Sequence, residues 1–141
     1  MICKDEAIVL KTRDFRETSK IAVFYSRRSG KMSGLFKGIR KQPQKFATNL
    51  EFLSINEIIY YKKRFSELHL VSQCDLRRNF DCLSNDLVKF GLASFSAELV
   101  DTIMPQEDAH PEIYDLFVNF LSSLQGCPDA NKLIYNFTLK T

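Results

Sequence analysis

The sequence predicts an α+β protein in which a small five-stranded β-barrel is followed by an α-helical domain. Three observations predict it. Five short segments rich in β-branched and aromatic residues, separated by turn residues, fall within the first 80 positions. After Asn79 the hydrophobic pattern changes from the two-residue period of a strand to the 3.6-residue period of a helix. The charge changes sign at the same place. Residues 1–80 hold 17 Lys and Arg against 8 Asp and Glu, a balance of +9, whereas residues 81–141 hold 3 against 9, a balance of −6. That asymmetry suggests a basic binding half joined to an acidic half.

The first predicted strand, Glu6–Phe15 (EAIVLKTRDF), begins with Ala7, Ile8, Val9 and Leu10, so both of its faces are apolar there. Arg16–Ser19 is a polar loop, Lys20–Ser26 (KIAVFYS) a second strand, and Arg27–Gly30 a short turn. Lys31–Ile39 alternates, with Met32, Gly34, Phe36 and Gly38 on one face and Lys31, Ser33 and Lys37 on the other. Glycines inside a strand mark a sharp bend or a close backbone approach. Arg40–Asn49 contains Pro43 and reads as a loop; Glu51–Lys63 and Leu68–Asp75 complete the set, with a turn at Arg64–Glu67. Five such strands in about 80 residues suggest a closed or nearly closed barrel. The oligonucleotide-binding (OB) type leads, and an SH3-like barrel would give much the same pattern.

In the second half, Val88, Leu92, Phe95, Leu99 and Ile103 form one apolar stripe of a helix from about Ser84 to Ile103, ended by Pro105. Pro111 suits a first helical turn, and Ile113, Leu116, Phe117, Phe120, Leu121 and Leu124 follow at helical spacing. Gly126 and Pro128 stop that helix. Asp129 then caps a third, carrying Leu133, Ile134 and Phe137, which reaches Thr141 without a stop signal. The expected organisation is therefore an OB-fold domain over 1–80 and an incomplete helical domain over 81–141.

With 45% hydrophobic and 26% charged residues, the chain reads as soluble and globular. No apolar run of about 18 residues exists to span a membrane. Cys3, Cys74, Cys82 and Cys127 lack paired or histidine-flanked spacing, so they read as reduced, mostly buried thiols of a cytoplasmic protein rather than zinc ligands, although spacing alone also permits a disulfide. His69 and His110 stand far apart with no nucleophile elbow beside either, and each reads as structural. Glu107-Asp108 precedes a helix and suits its dipole better than a metal. No phosphate-cradling glycine motif occurs. The sequence therefore points to no enzyme, cofactor or metal.

The basic run Gly30–Phe46 (GKMSGLFKGIRKQPQKF) carries Lys31, Lys37, Arg40, Lys41 and Lys45 with no acidic residue, and glycines recur at Gly30, Gly34 and Gly38. Cations neutralise phosphates, glycines let backbones approach, and aromatic rings can stack on bases. The same run also fits a solvated strand and loop whose lysines only confer solubility.

Several segments, in order, resemble the bacterial recombination mediator family RecO. AIVLKTRDFRETSKI resembles its opening strand and Glu-Thr-Ser loop, here Glu17, Thr18 and Ser19. The family's G-K-x-x-G-x-x-K-G-x-R run is matched by Gly30, Lys31, Gly34, Lys37, Gly38 and Arg40. ASFSAELVDTIMPQED, with Glu98, Leu99, Val100 and Asp101, and PEIYDLFVNFLSSL resemble the helices that follow. Ile39 stands where a small residue is usual, and Gln42 and Gln44 dilute a segment often more basic. Members are usually longer, often with a cysteine-rich zinc motif that this chain lacks. The resemblance implies an OB barrel with a helical domain and a non-enzymatic, nucleoid-associated role. That role is binding single- and double-stranded DNA, annealing strands, and helping load RecA. It implies RecR and the acidic C-terminal tail of single-strand-binding protein as partners, with RecA engaged indirectly.

The expected backbone grips are Arg13, Arg16, Arg27, Arg28, Lys31, Lys37, Arg40, Lys41 and Lys45. Tyr25, Phe36 and Phe46 are candidate stacking platforms, with Phe46 the most open and Phe36 the better core residue. Of Tyr60 and Tyr61, one should face inward and one outward. Arg77 and Arg78 either extend the basic surface or cap the junction to the helices. Two other classes fit the same residues: an interaction scaffold docking an acidic peptide, and an RNA-binding OB module, which the 2′-OH would distinguish.

Overall fold

The computed structural model describes residues 1–80, 83, 85–125 and 138. Five strands, β1 (Ile2–Phe15), β2 (Ser19–Ser26), β3 (Gly30–Phe36), β4 (Ile55–Tyr61) and β5 (Leu68–Arg78), close in the order β1-β2-β3-β5-β4. All pairs are antiparallel except β3 with β5. This is a barrel of OB type. The helices α1 (Leu87–Ile103) and α2 (Pro111–Leu124) follow.

Closure rests on the length of β1. Its first half pairs with β4 from Ile2↔Tyr61 to Ile8↔Ile55, and its second half pairs with β2 down to Phe15↔Ser19. The register shifts between Val9 and Lys11, and such a bulge bends the strand from one neighbour to the other. The apolar run at its centre serves two cores. Ala7 and Val9 face the lumen with Phe24, Met32, Phe36, Ile58 and Val71. Ile8 and Leu10 face outward into a second cluster with Tyr25, Val100, Phe117 and Leu121.

The strand boundaries differ from expectation in instructive ways. β4 begins at Ile55 because Leu50 and Leu53 adopt left-handed backbone angles (φ of 53° and 65°), which no strand accommodates. β3 ends at Phe36 because Gly38, at φ 77°, turns the chain. Tyr60 is buried and Tyr61 exposed, as alternation requires.

The first helix corrects the sequence reading. Its buried face is Ala93, Ser96, Ala97 and Val100, whereas Val88, Phe95 and Ile103 of the expected stripe are 59%, 51% and 46% exposed. Small residues let α1 approach the barrel closely, and close approach won over side-chain size. Asp86 caps this helix by accepting from the amides of Val88 and Lys89. In α2, Phe117, Phe120, Leu121 and Leu124 are buried as spaced, and Pro111 occupies the first turn. The expected third helix lies outside the described residues apart from Thr138.

Candidate nucleic-acid interface

The glycines of the Gly30–Arg40 run do three different things. Gly30 sits at φ 74°, and a Cβ there would lie 2.4 Å from the carbonyl oxygen of Asp108. It admits the α1–α2 connection against the barrel, where Glu107 N–H donates to the Lys31 carbonyl at 2.8 Å. Gly34 faces the lumen, where a Cβ would meet the Val71 side chain at 2.7 Å. Gly38 has open space around it and supplies only the turn.

That turn is laced to the β1–β2 tip. Arg40 N–H donates to the Thr18 carbonyl at 2.9 Å, and Gly38 N–H to Ser19 Oγ at 3.2 Å. The Arg40 guanidinium reaches the Arg16 carbonyl at 3.2 Å and Asp14 at 3.6 Å. Lys45 Nζ donates to the Lys37 carbonyl at 3.2 Å. Arg16, Lys37, Arg40, Lys41 and Lys45 are thereby gathered, exposed, at one end of the barrel, with Arg13 exposed nearby on β1. Among the described residues, no carboxylate pairs with Lys37, Lys41 or Lys45. Beside this rim opens a cleft of about 420 Å³ lined by Asp14, Lys20, Ile39, Arg40, Pro43, Thr48 and Asn49.

The other expected cations lie elsewhere. Arg27 makes a two-pronged pair with Asp115 of α2 at 3.1 and 3.2 Å, which raises its pKa. Lys31 is nearly enclosed, with Nζ 2.8 Å from the Asp101 carbonyl and 3.4 Å from its carboxylate. Lys11 reaches the same carboxylate at 3.0 Å. Burial alone would raise the pKa of Asp101, but Lys11 and Lys31 together outweigh it and hold the carboxyl below its usual range. Arg28 is exposed at the β2–β3 turn, its amide on the Asp5 carboxylate, beside a cleft of about 560 Å³ that Lys4 and Glu57 also line. The expected grips thus do not form one surface. Arg27 and Lys31 face the acidic helices because Asp115 and Asp101 sit opposite them.

Phe36 is a core residue as expected, whereas Phe46 and Tyr25 are corrected as stacking candidates. Phe46 is only 5% exposed and packs edge-on against Phe36, their centroids 5.0 Å apart, so neither ring offers a face to a base. Tyr25 is fully buried against Tyr114 in the barrel–helix interface. The Tyr114 hydroxyl donates to Glu6 at 2.7 Å; burial first, and this bond second, raise its pKa.

The histidines have structural partners. Lys63 N–H donates to His69 Nδ1 at 3.1 Å, so the His69 proton sits on Nε2, which faces the Glu107 carboxylate. His110 stands at the N-cap position of α2 without a side-chain capping bond, its ring between Asp108 and Glu112. Arg77 pairs with Glu57, and Arg78 lies over the Phe80 ring. The sequence reading missed Lys62, Lys63, Arg64 and Phe65 in the β4–β5 loop, although three consecutive cations followed by an aromatic were a legible signal.

Barrel and rim define a class: an OB-type module with a cationic end, to which an acidic helical segment is docked. The chain belongs to the recombination protein O family. The family's N-terminal model matches residues 1–80 and its C-terminal model residues 84–141. It is similar to the DNA repair protein RecO of Syntrophobacter fumaroxidans, 32% identical over 130 residues, covering 92% of this chain and 50% of that protein. The protein of the same name from Chloroherpeton thalassium is 34% identical over 116 residues, covering 82% and 45%. That from Caldanaerobacter subterraneus is 27% identical over 139 residues, covering 97% and 55%. The chain spans about half the length of the relatives it matches. No helix among the described residues is long and apolar enough to cross a membrane.

Proposed function

We propose that this chain is a non-enzymatic DNA-binding mediator of recombination and repair. In this reading residues 1–80 are the nucleic-acid unit and residues 81–141 its helical adjunct. One observation carries it: Arg16, Lys37, Arg40, Lys41 and Lys45 converge at one end of an OB barrel, all but Arg40 without a carboxylate partner among the described residues. Cations of this kind hold phosphates without reading sequence, so both single- and double-stranded DNA are ligands and binding is salt-sensitive. Annealing follows physically, because a surface that screens phosphates on two strands lowers their repulsion and leaves base edges free to pair. RecR and the acidic tail of single-strand-binding protein are the partners this reading implies, with RecA loaded through them.

The test is fluorescence anisotropy of a labelled single strand across a salt series. Wild-type protein is compared with a Lys37→Ala/Arg40→Ala/Lys41→Ala/Lys45→Ala variant. The slope of log affinity against log salt should shrink by about 2 to 3, close to 0.7 per lost contact. An unchanged slope would move the site off this rim. No binding by wild type at low salt would contradict the reading and favour a scaffold docking an acidic peptide. Tighter binding to a matched RNA would favour the RNA module.

A further inference from the structure

The β4–β5 loop carries a feature that the rim does not. Phe65 is 94% exposed, more than any other large hydrophobic side chain among the described residues. The residues before it, Lys62, Lys63 and Arg64, are exposed cations, and the Arg64 guanidinium lies 5.6 Å from the Phe65 ring centroid.

The base of this loop is held firmly. Lys62 N–H donates to the Met1 carbonyl at 2.8 Å, Lys63 N–H to buried His69, and Leu68 N–H to Ser66 Oγ at 3.1 Å. The tip is therefore presented at a defined place, beside a cleft of about 420 Å³ lined by Met1, Lys62, Lys63, Arg64 and Glu107. The sheet links it to the rim. β3 pairs with β5 at Ser33↔Leu68 and Leu35↔Leu70, and these four residues are half-exposed on the outer face. They form a strip running from the loop to Lys37. A single strand following that strip meets cations at both ends and few charges between.

We propose that the β4–β5 loop is a second contact for single-stranded nucleic acid, in which Phe65 stacks on an unpaired base and Lys62, Lys63 and Arg64 hold the adjoining phosphates. The proposal rests on the reading of the barrel as a DNA-binding module and adds a preference to it. A duplex keeps its bases stacked on each other and gives Phe65 nothing to cover, so the loop favours single strands.

The chain contains no tryptophan, so Phe65→Trp places a single indole at the loop tip. Titration with oligo-dT should quench its fluorescence, and an abasic phosphodiester of equal length should not. Phe65→Ala should weaken single-strand binding about tenfold and leave duplex binding within about twofold. Substitution of so exposed a side chain should leave folding intact. If Phe65→Ala binds single strands like wild type while the rim variant loses affinity, the loop proposal falls and the rim reading stands. Equal quenching by the abasic strand overturns stacking. Quenching by an acidic peptide but not by oligo-dT would make the loop a protein-docking surface instead. Absence of DNA binding in every form overturns both readings together.

Discussion

At the scale of single residues, the Gly30–Arg40 run separates into jobs that its sequence does not distinguish. Gly30→Ala forces a left-handed backbone on alanine and drives its Cβ into the Asp108 backbone. We expect a loss of about 2–5 kcal/mol in denaturant unfolding, the sum of the conformational and overpacking costs. Gly38→Ala meets no neighbour and should cost only the conformational part. Asp101 makes a pH-dependent prediction. Its folded pKa is lowered, so its contribution is present above the unfolded pKa and is lost as pH falls through the folded value. Asp101→Asn should destabilise by about 1.5–3 kcal/mol at pH 7, and the gap from wild type should close below about pH 4. The glycine spacing was legible in the sequence, but the docking role of Gly30 was not, because Asp108 is 78 positions away.

At the scale of elements, strands were read more accurately than the first helix. Alternation in Lys31–Phe36 identified its inner face correctly because a barrel lumen takes every second side chain. In α1 the expected stripe held only in part: Leu92 and Leu99 pack against the core, whereas Val88, Phe95 and Ile103 are exposed. Ala93, Ser96, Ala97 and Val100 pack inward, and weighing by hydrophobic size hides such a face. Ala97→Leu should therefore cost about 1–3 kcal/mol by overpacking. Phe95→Ser, on the expected stripe but half-exposed, should change stability by no more than about 0.5 kcal/mol. Chemical denaturation of the two variants separates the assignments. For α2 the sequence sufficed, since its apolar spacing and Pro111 coincide with the buried face and the first turn.

At the scale of the whole molecule, the charge asymmetry has a structural meaning beyond binding. Asp101 and Asp115 of the acidic half neutralise Lys11, Lys31 and Arg27 of the basic half, and so dock the helices to one side of the barrel. Among the described residues, Lys37, Lys41 and Lys45 at the rim and Lys62, Lys63 and Arg64 of the β4–β5 loop have no carboxylate partner. Nine cations, with Phe46 beside them, were expected to share one interface. The sequence places them on adjacent strands and loops, but only the fold shows which of them face carboxylates. Lys31 marks the division between docking and gripping most sharply, because Asp101 holds its ammonium group. The measurement to make is the salt slope of single-strand binding for Lys31→Ala beside Lys37→Ala. Lys31→Ala should keep the wild-type slope while losing stability, and Lys37→Ala should lose about 0.7 from the slope at unchanged stability. A slope that falls for Lys31→Ala as it does for Lys37→Ala would put Lys31 on the DNA and overturn its role in docking the helices.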